Sequence, residues 1–261
     1  MLHLLRSIGK QLFCSYPVAV TVAGFSSLLL LFLVGNSSTS IPIKYPNMGE
    51  DAHAYYTKRA TSLMPRYTGP TENLTEEQIG IRDSILKSRP GTGLQGPFGP
   101  WLSVPSIAQP AQTLGHACRY GTSLSKKESE LVILLVGSKL DSVTEIQIHI
   151  GEAIDAGWAM DLVGILPILG ASQGNRGSSP TFLQDVRTHL LPQLSTERER
   201  AIAIFVAELL ETNQVTDATY ASTKEAVDGQ DSVLVEVTSI VGYYSFVCWT
   251  LNVFQIPPTL P

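Results

Sequence analysis

Glu130, Glu145 and His149 are the residues best suited, by type and spacing, to carry chemistry. Glu130 lies inside the apolar run SELVILLVGS, and Glu145 and His149 fall four residues apart in DSVTEIQIHIGEAIDAGW. On a helix that interval stacks the two side chains on one face. A carboxylate inside an apolar helix has to be paired, hydrogen-bonded or neutral, and a carboxylate–imidazole pair can take up and return protons. Each feature also has a plainer reading. Glu130 could be exposed or paired with Arg119, and Glu145–His149 could be a surface ion pair worth ~0.3–0.5 kcal/mol. The apolar neighbours Ile146, Ile148 and Ile150 favour a largely buried helix, with Asp141 and Glu152 as its solvent residues. Two ligands with no third nearby do not suggest a metal site, and none is expected.

These side chains need helices to hold them. Valine and isoleucine fall at helical rather than alternating spacing, so the domain is expected to be all-α. Helices are predicted at about 74–89, 104–118, 126–138, 142–156, 181–190, 196–211, 216–226 and 230–253. Thr75 with Gln78, Ser125 with Glu128, and Thr196 with Glu199 have the spacing of capping boxes. PGTGLQGPFGPWLSVP is too rich in Gly and Pro for a helix interior, and its Phe98 and Trp101 are expected to pack over a pocket or the core. ASQGNRGSSP, 171–180, reads as a loop. LSKKESELVILL (124–135) aligns without gaps on LSTERERAIAIF (194–205), with Glu130 opposite Arg200. That echo reads equally as a duplication or as two capped amphipathic helices.

The N-terminal quarter differs in character. Residues 17–35, PVAVTVAGFSSLLLLFLVG, carry no charge and match the ~17–25 residues of a membrane-spanning helix. Arg6 and Lys10 precede them, and no charge follows until Lys44. The positive-inside rule then keeps 1–16 in the cytosol and carries the remainder across, as a signal anchor rather than a cleaved signal. The expected organisation is a cytosolic N-terminus at 1–16, a span at 17–35, a linker at 36–75 and a helical domain at 76–258. The globular domain would be lumenal or extracellular, with Asn73 and Asn36 as glycosylation acceptors. A net charge of −5 gives no reason to expect nucleic acid. Cys14, Cys118 and Cys248 are far apart and form neither a disulfide framework nor a metal-ligand spacing.

The spacing of 130, 142, 145 and 149 resembles that of the carboxymuconolactone decarboxylase-like family, within the alkylhydroperoxidase D-like superfamily. So do the segments GPFGPWLSVPSIAQPAQTLG, RYGTSLSKKESELVILLVGS and the T-E-x-x-x-H stretch ending AGW. The likeness runs from about Arg66 to Pro257. In the peroxidase branch the positions of 142 and 145 are cysteines; Ser142 and Glu145 stand here, so thiol-based peroxide reduction is not expected. The decarboxylase-like branch often reads Y-E-W-x-x-H-E, where this chain has Thr144, Ile146 and Ile150, and those exchanges are expected to alter the pocket.

The resemblance implies a lyase, without cofactor or metal, acting on a small lactone or polyketide-like organic acid in a secondary-metabolite pathway. It implies His149 as general acid–base, Glu145 orienting it, and Glu130 donating to a developing oxyanion or relaying a proton. Tyr243, Tyr244 and Trp249 would line the pocket or simply form core. It also implies a homo-oligomer, trimer or hexamer. Two alternatives stand beside it: an isomerase, dehydratase or cyclase using the same site, and a non-catalytic accessory protein at the membrane.

Overall fold

The computed structural model describes residues 48–67, 69–70, 72–89, 93–171 and 181–258. The chain divides into two units after Ile43, and every described residue belongs to the second. The expected span at 17–35, Asn36 and most of the loop expected at 171–180 lie outside the described residues.

Among the described residues the fold is all-helical, without strands. In chain order the α-helices are α1 (Met48–Thr61), α2 (Glu76–Ser88), α3 (Phe98–Leu102), α4 (Pro105–Tyr120), α5 (Lys126–Lys139) and α6 (Val143–Asp155). They continue with α7 (Met160–Val163), α8 (Leu166–Ala171), α9 (Phe182–Asp185), α10 (Glu197–Thr212), α11 (Asp217–Ala226) and α12 (Asp231–Phe254). A π-turn at Val186–Leu190 and a 3-10 turn at Leu191–Gln193 connect α9 to α10.

The three capping boxes form as their spacing requires. In each, the Ser or Thr hydroxyl accepts the N–H three residues on, and that residue's side chain returns to the cap. The boxes of α5 and α10 also exchange cations. Arg198 Nε lies 2.6 Å from Glu128 Oε1, and Lys127 Nζ lies 2.8 Å from Glu199 Oε1. The basic second residue of each helix thus meets the capping glutamate of the other. The observed caps, Ser125 and Thr196, are one residue out of step with the gapless alignment. Registered on the caps, Glu130 corresponds to Ala201 rather than Arg200.

Helix α5 runs through the core, with residues 131–136 at most 1% exposed. It packs on α6, α8, α10 and α12. Its approach to α6 is close because Gly137 has no side chain: a Cβ there would lie 3.0 Å from Ile146 Cγ1. Asp141, at φ 49, turns the chain back, and the Ser142 N–H bonds Gly137 O at 2.9 Å. Helix α12 is long and apolar enough to cross a membrane by length and composition, yet 61% of its most apolar window is buried within the fold. Its packing on α4, α5, α6, α10 and α11 makes it a central core helix.

Four expectations need correction. The segment taken as linker contains α1, which buries Ala52, Tyr56 and Ala60 against α6 and α7. Two of those three residues are alanines, so the stripe carries little hydrophobic signal. The Gly/Pro-rich stretch contains the short helix α3, with Phe98 and Trp101 buried as expected. Helices α7 and α8 were not anticipated, and the helix expected at 181–190 gives way to a π-turn after Asp185. Cys118 and Cys248 are free buried thiols. Asn73 is exposed at φ 56, just before the capped start of α2.

Candidate active site

The two faces of α6 divide its work. Val143, Ile146, Ile150 and Ala153 are buried as core. Glu145, Ile148, His149 and Glu152, spaced three or four apart, line one wall of a pocket. The other walls come from Arg89 at the end of α2, Gln95 to Phe98 around α3, Gly115, Arg119 and Tyr120 of α4, and Tyr243, Tyr244 and Val247 of α12. The pocket is partly open, with a volume of about 150 Å³. That is roughly the size of a cavity able to hold one benzene ring. Gly115 makes room for one wall, since a Cβ at that position would fall 2.0 Å from the Tyr243 hydroxyl.

His149 is clamped between two carboxylates. Its Nδ1 lies 2.7 Å from Glu130 Oε2 and its Nε2 lies 3.0 Å from Glu145 Oε1. All three residues are at most 5% exposed. With an acceptor on each ring nitrogen, both nitrogens carry protons and the ring is an imidazolium. Burial opposes that charge, but Glu130 and Glu145 outweigh it and hold the imidazole pKa up at about 9.

Arg119 completes the cluster. Its guanidinium reaches Glu130 Oε1 and Glu152 Oε2, each at 3.4 Å. Nη1 also comes within 3.4 Å of His149 Nδ1. Because that nitrogen already donates to Glu130, this is an approach of two cations across a shared carboxylate, not a hydrogen bond. Tyr244 stands edge-on to His149 at 5.5 Å and faces Arg119. Burial raises the Tyr244 phenol well above its usual range, so it remains a neutral O–H donor.

The three residues singled out by sequence therefore meet, with a different division of labour. Glu130 does not line the pocket; it holds His149 at Nδ1, the ring nitrogen turned away from Glu145. Glu145 and His149 both line the pocket wall. Glu152, expected in solvent, lies at the rim, paired with Lys126 at 2.9 Å. Trp249 is 57% exposed and lies outside the pocket, while Tyr243 and Tyr244 line it. Five residues beyond Tyr244, Trp249 points more than a quarter-turn away.

Thr144, Ile146 and Ile150 do not line this pocket. Ile146 and Ile150 are core, and the Thr144 hydroxyl donates to Ile256 O. Ser142 is fully buried and likewise outside the lining. Arg119 entered the sequence reading only as a partner for Glu130, and Arg89 did not enter it at all. Basic residues near helix C-termini are ordinary, so neither carried a local signal. Among the described residues no group of three His, Cys, Asp or Glu side chains is arranged to hold a metal.

Compared with known protein families, with curated proteins and with solved structures, the chain matches none.

The cluster makes stability depend on pH in a defined direction. The folded pKa of His149 lies above the ordinary ~6.5, so its pairing stabilises fully below about pH 6.5 and is lost as pH rises through about 9. Chemical denaturation from pH 6 to 10 is expected to show wild type losing roughly 3 kcal/mol, with His149→Gln flatter over that range. Parallel curves for the two proteins would rule out this assignment.

Proposed function

We propose that this chain is a cofactor-free acid–base lyase of the carboxymuconolactone decarboxylase-like kind, acting on a small lactone or polyketide-like acid in a biosynthetic pathway. The observation that carries the reading is the Glu145–His149 pair on the wall of a ring-sized pocket, with Glu130 fixing the imidazole from behind. The reading draws on an all-helical frame that brings these groups from two successive helices.

The chemistry follows from what each group can do. When the bond to a carboxylate breaks beside a conjugated carbonyl, carbon dioxide leaves and the electron pair moves onto the carbonyl as an enolate. Arg119 and the neutral Tyr244 hydroxyl lie where they can stabilise that charge. The enolate carbon then takes a proton from the His149–Glu145 pair, which solvent restores through the open mouth. Thr144, Ile146 and Ile150 lie outside the pocket lining, which keeps the acid–base groups themselves in view of a bound molecule.

In this reading residues 17–35 anchor the chain, with the globular domain lumenal or extracellular. The domain assembles as a homo-oligomer through the exposed row Val235, Gly242, Phe246, Trp249 and Val253 on α12. They are spaced seven, four, three and four apart, as one exposed face of a helix is, with Phe246 also stacked on Trp101.

A strain lacking the gene is expected to accumulate a precursor that retains a carboxyl group. Wild type should restore product with release of carbon dioxide, while His149→Ala and Glu145→Gln lower turnover at least ~100-fold. Unchanged product formation by folded His149→Ala would sink the enzyme reading; turnover without carbon dioxide would indicate isomerisation, dehydration or cyclisation. Endoglycosidase treatment is expected to shift the native protein's mobility, and Asn73→Gln to remove most of that shift; a chain never glycosylated in its host contradicts the lumenal placement. Light scattering on the soluble domain is expected to give an oligomer that Trp249→Glu dissociates, and a wild-type monomer would overturn the assembly.

A further inference from the structure

Arg89 is the one buried Lys or Arg among the described residues, at 5% exposure, and it lines the pocket. Its surroundings do not account for its charge. Nη1 donates to Ser88 Oγ at 3.0 Å and to Gln112 Oε1 at 3.3 Å, and Nη2 donates to Gln112 O at 2.7 Å. All three acceptors are neutral. No described carboxylate lies within ion-pair distance of it, whereas Arg119, across the same pocket, has Glu130 and Glu152. A guanidinium has five N–H donors in a planar fork, so Nε–H and one N–H of Nη2 remain without an acceptor among the described residues.

A buried charge without a counter-ion is costly unless something supplies one. The bonds to Gln112 fix the fork, and the Phe98 ring, 5.0 Å from the guanidinium carbon, backs it. This preorganised cation borders a space of about 150 Å³ whose other walls include Pro97, Ile148, Tyr243 and Val247. A carboxylate suits the fork, because two parallel N–H groups match its two oxygens. A flat ring suits the remaining space.

We infer that Arg89 is the anion anchor of this pocket and selects a small planar carboxylate, orienting it toward Glu145 and His149. This rests on the pocket being the substrate site of the proposed lyase, but its test needs no turnover. Arg89 acts here as a positioning residue for binding.

The probe is benzoate, with benzamide as its uncharged counterpart of the same shape, titrated calorimetrically into the folded full-length protein. Benzoate is expected to bind at least ~10-fold more tightly than benzamide, and Arg89→Gln to remove that preference. Arg89→Lys keeps the charge without the fork, so benzoate should bind it more weakly than wild type but still better than benzamide. Should Arg89→Gln fail to fold, the wild-type ratio and the Arg89→Lys titration still decide. Equal binding of the two probes to wild type, or an undiminished benzoate preference in folded Arg89→Gln, overturns the anchor. Loss of turnover in His149→Ala with benzoate selectivity intact in wild type supports both readings. Equal probe binding with that turnover loss overturns the anchor alone.

Discussion

A buried imidazolium held between two carboxylates sets the terms for the rest of this fold. Burial opposes a second proton on His149, and Glu130 and Glu145, one at each ring nitrogen, are what hold it there. The helices must therefore bring three charges together at hydrogen-bond distance, because a half-made cluster costs more than none. Gly137 lets α5 and α6 approach closely, Asp141 turns the chain between them, and Arg119 arrives from α4 to share Glu130. Each of these residues serves the cluster without being visibly chemical in itself.

The site is built by the phase of a single helix. On α6, residues 143, 146, 150 and 153 face the interior, while 145, 148, 149 and 152 face the pocket. The first set is packed as core, and the second sets the pocket's polar lining. One wall of the pocket carries the imidazolium and its carboxylate, and the others are cationic and aromatic. The aromatic wall comes from α12, whose inward residues Tyr243, Tyr244 and Val247 reach the pocket while Trp249 turns outward.

Much of this was legible in the sequence, for reasons that can be named. The capping boxes at Thr75, Ser125 and Thr196 are local chemistry, so helix starts could be read within a residue. The interval from Glu145 to His149 is also local, and their meeting followed from helical geometry. The distance from Glu130 to His149 is tertiary, and whether Glu130 faced solvent, Arg119 or His149 depended on how α5 meets α6. Arg89 was illegible because nothing near it distinguishes a buried guanidinium from a C-terminal basic residue in water. Helix α1 was missed because Ala52 and Ala60 bury fully yet add little to an apolar pattern.

The exchange of cations between the capping boxes of α5 and α10 bears on how the domain is made. Residues 125–128 and 196–199 are far apart in sequence, yet each helix start is completed by a side chain from the other. As the chain emerges during synthesis, α5 and α6 can form early as local neighbours. The first turn of α5 closes its own capping box locally and gains the Arg198 ion pair once α10 is docked. The helix bearing Glu130 thus starts on its own capping box but shares that box's glutamate with a residue 70 positions on, so the start of α5 and the start of α10 are held in one register by charge as well as by packing.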